Sequence, residues 1–348
     1  MTVPYEPPAT EPAPTPRREG RRKRRRQRDD VMVPTMEFES YYGRNIVKPA
    51  PWKAEIPAYL FLGGLAAGTG LLASGGEMTG RAELQRNARL VSLAALSGST
   101  AVLVKDLGKP SRFLNMMRTV KLTSPMSIGT WILTGFGGFT GIAAATEVAK
   151  MVLPRPAKAE LAFILPAATR VSSWGAGAFA APLAAYTAVL LSDTATPTWH
   201  EAYRQLPFVF VGSALAASGG AAMITTSVDE CGPARNVAVG GAVVDLVADA
   251  IMERHLGMLA EPMHEGRAGA YLRAAKVLTV AGAALTLIGG RRRPVAALAG
   301  AALLAGSACT RFGIFEAGIA SAKDPRYTVE PQKARLAARR EQQRQEAS

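Results

Sequence analysis

The chain is poor in cysteine and histidine. Its 348 residues include two cysteines, Cys231 and Cys309, and three histidines, His200, His255 and His264. No C-x-x-C occurs, so the usual ligand set of an iron–sulfur cluster is missing. The histidines fall in loops or at the ends of apolar runs, which leaves no facing pair inside a bundle to hold a b-type haem. If this protein handles electrons, it is expected to carry neither haem nor iron–sulfur cluster, and a partner must supply them.

Charge is missing too, from long stretches. Ile56–Gly76, Leu122–Thr146, Val171–Ser192 and Gln205–Val228 contain no Asp, Glu, Lys or Arg, and a membrane span needs about 20 such residues. Four weaker runs, Ala88–Val104, Asn236–Met252, Val277–Gly290 and Pro294–Thr310, bring the expected count to eight. None alternates with period two, which argues against strands. The segments GGLAAGTG, GFGGFTG and AASGGAA are rich in small residues, which let helix backbones approach closely in lipid. Leu161–Thr169 is too short to span, carries Pro166, and reads as a loop or interfacial turn. The expected fold is all-α: a polytopic membrane protein of about eight helices in two four-helix bundles. The domain reading is a disordered Pro/Arg-rich tail over 1–50, the membrane domain over 51–320, and a charged tail over 321–348 that has the makings of a surface helix.

Both tails are basic. Nine Lys and Arg lie between Arg17 and Arg28. Arg17 and Arg18 invite comparison with a twin-arginine signal, but no apolar core follows them. Charge alone permits non-specific contact with nucleic acid. A solvated tail beside anionic lipid headgroups needs nothing more than that charge, and it is the reading adopted. An even number of spans puts both tails on one side, and the positive-inside rule makes that side the cytoplasm of a cell membrane. The loops Asp106–Lys121, Asp193–Arg204 and Arg254–Lys276 would then be cytoplasmic, and Arg81–Arg89 would form a loop on the opposite face.

The segment DLGKPSRFLNMMRTVKLTSPMSIGTWILTGFGG, Asp106 to Gly138, places an acid, a guanidinium (Arg112), an amide (Asn115) and two hydroxyls (Ser124, Ser127) where water meets hydrocarbon. That suits a lipid-soluble substrate with a polar head. Charge inside a span is costly and tends to mark function. Asp245, Asp249 and Glu253 stand at i, i+4 and i+8, on one helix face, and read either as a proton path or as a polar seam paired with arginines of neighbouring helices. Glu77, Glu147 and Asp193, each at the end of an uncharged run, read as solvated helix ends. Tyr186 lies mid-span with Pro182 one turn before it; its hydroxyl either bonds a backbone carbonyl or serves a substrate oxygen.

YLFLGGLAAGTGLLA, DLGKPSRFLNMM with TSPMSIGTWIL, and AAYTAVLLSDTATPTWHEAYRQLPFVFVGSALAASGGAA together resemble the NrfD/PsrC family over roughly residues 52–320. These are the quinone-reacting membrane subunits of polysulfide reductase-like complexes. The resemblance implies eight helices, a menaquinone or ubiquinone site near one membrane face, a ferredoxin-like four-cluster iron–sulfur subunit docked there, and a molybdopterin or tungstopterin subunit beyond. The family's tyrosine in the A-Y-T-x-x-L-L element corresponds to Tyr186, and its loop acid and arginine to Asp106 and Arg112. Before the first span, where some members carry a histidine, this chain reads PAPWKAEIPAYL, so Trp52, Lys53 or Glu55 would have to supply the polar contact.

The resulting expectation is electron exchange between a quinone and an iron–sulfur partner, with a cytoplasmic formate dehydrogenase-like enzyme as the catalytic subunit. Tyr186 would bond a quinone oxygen, and Asp106, its charge set by Arg112, would exchange protons. Glu55, Tyr59, Ser127 and Trp131 complete the expected quinone site. The competing readings are a secondary transporter, which helices broken mid-membrane would favour, and a plain membrane anchor.

Overall fold

The computed structural model describes residues 45–109, 111–154, 160 and 163–346; the tail expected over 1–50 lies, up to residue 44, outside them. Among the described residues the fold is all-helical. Its long helices are α1 (Glu55–Met78), α2 (Ala82–Asp106), α4 (Pro125–Val152), α5 (Ile164–Ser192), α7 (Leu206–Thr225), α8 (Gly232–Leu256), α10 (Gly266–Gly289) and α11 (Arg293–Lys323). Short helices α3 (Ser111–Met116), α6 (Pro197–Glu201) and α9 (Glu261–His264) lie in the connections, and α12 (Arg326–Glu346) follows the last long helix. Seven of the long helices are long and apolar enough to cross a membrane. The eighth, α8, is 25 residues long, but Arg235, Asp245, Asp249 and Glu253 set it apart in composition.

The long helices alternate in direction and close into two rings. In the first, α1 packs on α2 and α5, α2 on α4, and α4 on α5. In the second, α7 packs on α8 and α11, and α10 on both α8 and α11. The rings meet along α1, α5 and α7. Small residues make these contacts possible. A Cβ added to Gly212 or Gly241 would strike backbone across the α7–α8 contact, and one on Gly220 or Gly300 would do so between α7 and α11.

Several boundaries differ from expectation, two of them because charges that interrupt the apolar runs are absorbed inside the protein. α2 begins at Ala82, so Arg89 belongs to a helix and is almost wholly buried, not part of a loop. Its Nη2 pairs with Glu77 at 3.1 Å, it also bonds Glu147 and the Ser173 hydroxyl, and Lys150 reaches Glu147 at 3.0 Å. Glu147 is therefore a buried ion-pair partner and Glu77 a half-buried one, not solvated helix ends; Asp193 does sit exposed at the end of α5. α11 continues past Thr310 because Arg311 is held inside it, donating to the Phe210 carbonyl at 2.6 Å. Ile164–Thr169 forms the first turns of α5 rather than a loop; Pro166 lies in that first turn, where a missing N–H costs nothing.

The end of the molecule from which α1 departs is here called the proximal face. It carries the α2–α4 connection, α6, α9 and α12. There the Trp199 indole donates to the Ile314 carbonyl at 2.8 Å, Thr198 donates to the Leu259 carbonyl at 2.9 Å, and His200 bonds the Ser192 carbonyl at 3.0 Å. The A-T-P-T-W-H-E element thus docks α6 onto the second ring.

Candidate functional site

At the proximal end of the first ring, α1, α2, α4 and α5 diverge around a cavity of about 80 Å³. Tyr59 from α1, Asp106 from α2 and Tyr186 from α5 share its wall with Trp52, Phe113, Met116, Met126 and Thr130. Ile56, Leu103, Leu107, Leu133 and Leu190 make the remainder apolar.

Local chemistry explains how each group arrives there. Asp106 closes α2 because Gly108 adopts φ +71°, a left-handed conformation, letting the Leu107 and Gly108 amides bond back to the Leu103 and Lys105 carbonyls. An acid in the last turn opposes the helix dipole, a placement that costs roughly 0.3–1 kcal/mol and adds nothing to the fold. The charged groups acting most directly on it are Glu55 and Lys53. α4 starts where Ser124 caps it, accepting from the Ser127 amide, with Pro125 next. Four residues into that helix, Gly129 lies against the Tyr186 ring so closely that an added Cβ would overlap it. The S-P-M-S-x-G element therefore starts the helix and leaves a notch for the tyrosine. Among the described residues, neither the Tyr59 nor the Tyr186 hydroxyl has a hydrogen-bond partner.

The other expected site residues lie elsewhere. Glu55 pairs with Lys105 at 3.1 Å beside the cavity. Arg112 is exposed and donates to the Leu107 carbonyl at 3.1 Å, so it braces the turn after α2. Ser127 and Trp131 line a separate apolar groove with Phe179, on the other side of α4. There the Ser127 hydroxyl donates to the Thr119 carbonyl and accepts from the Lys121 amide, both at 3.0 Å, pinning the loop. Thr130 and Leu133 take the wall position expected of Trp131. Trp52 does reach the cavity and stacks on Trp199 with ring centroids 6.0 Å apart. Sequence reasoning missed Phe113, Met116 and Met126, although all three lie within the segment Asp106 to Gly138 that it singled out. It also missed Gly129, whose signal is a glycine one turn into a helix.

Asp245, Asp249 and Glu253 do share a face of α8, and it looks into the second ring. Lys276 of α10 bridges Asp249 at 3.1 Å and Glu253 at 2.7 Å, and His264 lies 3.9 Å from Glu253. Asp245 is buried deeper, where its electrostatic partner is Arg311. The Arg311 guanidinium lies 3.8 Å above the Phe210 ring, and its Nε and Nη1 have no hydrogen-bond partner. The seam is thus bridged by one lysine of a neighbouring helix, while Arg311 acts on Asp245 through its field alone, with no ion pair between them. Among the described residues no three His, Cys, Asp or Glu side chains converge as a metal site.

The family model described as "Polysulphide reductase, NrfD" matches residues 44–230, more than half of the chain. No curated protein matches it.

Proposed function

Since the chain belongs to the NrfD family, membrane subunits of quinone-reacting oxidoreductase complexes, we propose that it exchanges electrons between a membrane quinone and an iron–sulfur subunit docked on its proximal face. The observation that carries this reading is one cavity lined by two unpartnered phenol hydroxyls and one carboxylate, from three different helices. A quinone ring offers two carbonyl oxygens and an apolar body, and the cavity answers with donors and an apolar wall. Tyr186 donates to one quinone oxygen and Tyr59 is within the same cavity to serve the other. Oxidising a quinol releases two protons with its two electrons; Asp106, exposed at the cavity edge, takes them to water or returns them for reduction.

At about 80 Å³ the cavity is smaller than the 300 Å³ or more of typical ligand sites, so a ring enters by displacing side chains. Met116 and Met126 are suited to that, since an unbranched thioether changes rotamer cheaply. The partner is inferred to carry iron–sulfur clusters and to pass electrons to a molybdopterin or tungstopterin subunit. With both tails in the cytoplasm, the proximal face is cytoplasmic and so is that enzyme, formate dehydrogenase-like in kind. The acids of α8 are candidates for proton movement within the same complex. α5 runs unbroken through Pro182, so that proline lends the transporter reading no support.

The test is quinone-coupled turnover of the native complex. Tyr186→Phe removes one donor, and losing a hydrogen bond to a buried acceptor should lower turnover by roughly tenfold. Asp106→Asn keeps shape and removes the titratable group, so its turnover should fall with an altered pH profile. Electron transfer from the partner to a soluble artificial acceptor should persist in both. Normal quinone turnover in both variants would move the site elsewhere, whereas loss of the partner subunits would make these residues interface rather than chemistry.

A further inference from the structure

A second cavity, far larger than the one between the tyrosines, lies on the opposite, distal face, in the second ring. It is a groove of about 720 Å³ between the start of α8, the end of α10 and the start of α11. Its rim carries three guanidinium groups, those of Arg235, Arg291 and Arg292, and its lining contains no carboxylate. Below the rim the wall is apolar: Val239, Leu285, Ile288 and Val295 line it, and Ile288 is 87% exposed.

The three arginines of the α10–α11 turn are not equivalent. Arg293 is committed to the fold, where it donates to the Met223 and Thr226 carbonyls at 2.9 and 3.0 Å and to that of Ile224, closing the C-terminus of α7. Arg291 and Arg292 are exposed, and among the described residues their side chains have no hydrogen-bond or ion-pair partner. Arg235 spends Nη1 on the Val228 carbonyl at 2.9 Å and more distantly on Gly290, which fixes its guanidinium at the groove. Cations above an apolar trough, at the level where a span meets headgroups, match a molecule with an anionic head and hydrocarbon tails. Guanidinium groups bind phosphate through two parallel hydrogen bonds, and basic pockets between membrane helices hold such heads.

We propose that this groove is a binding site for one anionic phospholipid. Its phosphate sits among Arg235, Arg291 and Arg292, and its acyl chains run along Val239, Leu285 and Ile288. The site is independent of the quinone cavity, being in the other ring and at the other face. Arginines that merely reached into the headgroup layer would take any phospholipid equally; a shaped groove selects one charge and one seat.

Native mass spectrometry of the whole chain, delipidated in a mild detergent, tests the proposal with three probes: phosphatidylglycerol, phosphatidylcholine and glycerol 3-phosphate. A single phosphatidylglycerol adduct should form at a concentration about tenfold lower than the phosphatidylcholine adduct, with no glycerol phosphate adduct at matched concentration. The double change Arg291→Gln, Arg292→Gln touches no fold contact and should erase the preference. Val239→Trp, which fills the trough and keeps every charge, should weaken phosphatidylglycerol binding as well. Equal retention of both lipids, a double variant that keeps the preference, or glycerol phosphate binding as tightly as the lipid would each overturn the site as described.

Discussion

The first ring contains polar groups at both ends, and the two ends treat them in opposite ways. Distally, Arg89 is surrounded by Glu77, Glu147 and Ser173, with Lys150 behind Glu147, so that the charges are paired within the protein, while Arg89 Nε and the Thr140 hydroxyl beside it lack a partner. Proximally, Tyr59 and Tyr186 bring hydroxyls to a cavity and leave them without one. A polar group in an apolar interior costs free energy unless it is bonded. The distal end meets that cost with the chain's own side chains and becomes part of the scaffold. The proximal end leaves its two hydroxyls to be bonded from outside, by water or by a ligand. The second ring lies between these limits, for its acids are bridged by Lys276 while Arg311 keeps two nitrogens unbonded.

That contrast can be broken experimentally, and the largest effect should come from the distal cluster. Arg89→Met leaves two carboxylates with only Lys150 between them, so the loss of stability should be about 3–5 kcal/mol. A thermal melt of the purified protein in detergent checks it; an unchanged melting temperature would mean the cluster is hydrated rather than structural. Tyr186→Phe, by comparison, should leave the melt almost unmoved.

Gly129→Ala probes the same end as Tyr186 without touching a polar atom. The added methyl overlaps the tyrosine ring, and a displacement of about 1 Å at a reacting centre can cost on the order of 100-fold. Quinone turnover should therefore fall by more than it does in Tyr186→Phe, with electron transfer to an artificial acceptor preserved. A variant with wild-type turnover would separate Tyr186 from the reaction.

Smaller effects are expected from the second ring. Lys276 is 40% exposed, so water already screens its two ion pairs, and Lys276→Met should cost only about 1 kcal/mol. A loss as large as that of Arg89→Met would show the seam to be as dry as the distal cluster. The smallest effect concerns labelling. Cys231 is buried just before α8, and burial pushes its thiol up to about 11, so in a Cys309→Ala background it should react with maleimide far more slowly than a free thiol at pH 7. Labelling at the rate of a free thiol would mean that the α7–α8 turn opens readily.

Much of the fold was legible in the chain because hydrocarbon imposes a simple rule: about 20 uncharged residues make a span. Ile56–Gly76 and Gln205–Val228 match α1 and α7 within a few residues. The rule failed wherever a charge interrupted the run. Lys276 and Arg311 each cut a helix short in the sequence reading and Arg89 was read as the end of a loop, yet each lies inside a helix because a partner distant in the chain takes up its charge or its donors. The lining of the proximal cavity was legible to the same extent. Tyr59, Asp106 and Tyr186 carry chemistry that one-dimensional inspection singles out, whereas Ser127 and Trp131 lie one or two residues from Met126, Thr130 and Leu133 and face the other way. Which face of α4 looks inward depends on its packing against α2 and α5.

The sequence by itself determined that this protein is helical, that it crosses a membrane several times, and that tyrosine and carboxylate side chains lie near one face. Those properties follow from composition and from short motifs acting on their own backbone, such as Gly108 at the end of α2 and Ser124–Pro125 at the start of α4. Only the tertiary structure decided which polar groups are satisfied and which are left open. Arg89 and Arg311 look alike along the chain, and so do Arg292 and Arg293, yet each member of a pair meets a different environment. Whether a charge finds a partner depends on helices that are distant in sequence and adjacent in space, and that adjacency is settled by small-residue packing between whole helices rather than by any local pattern.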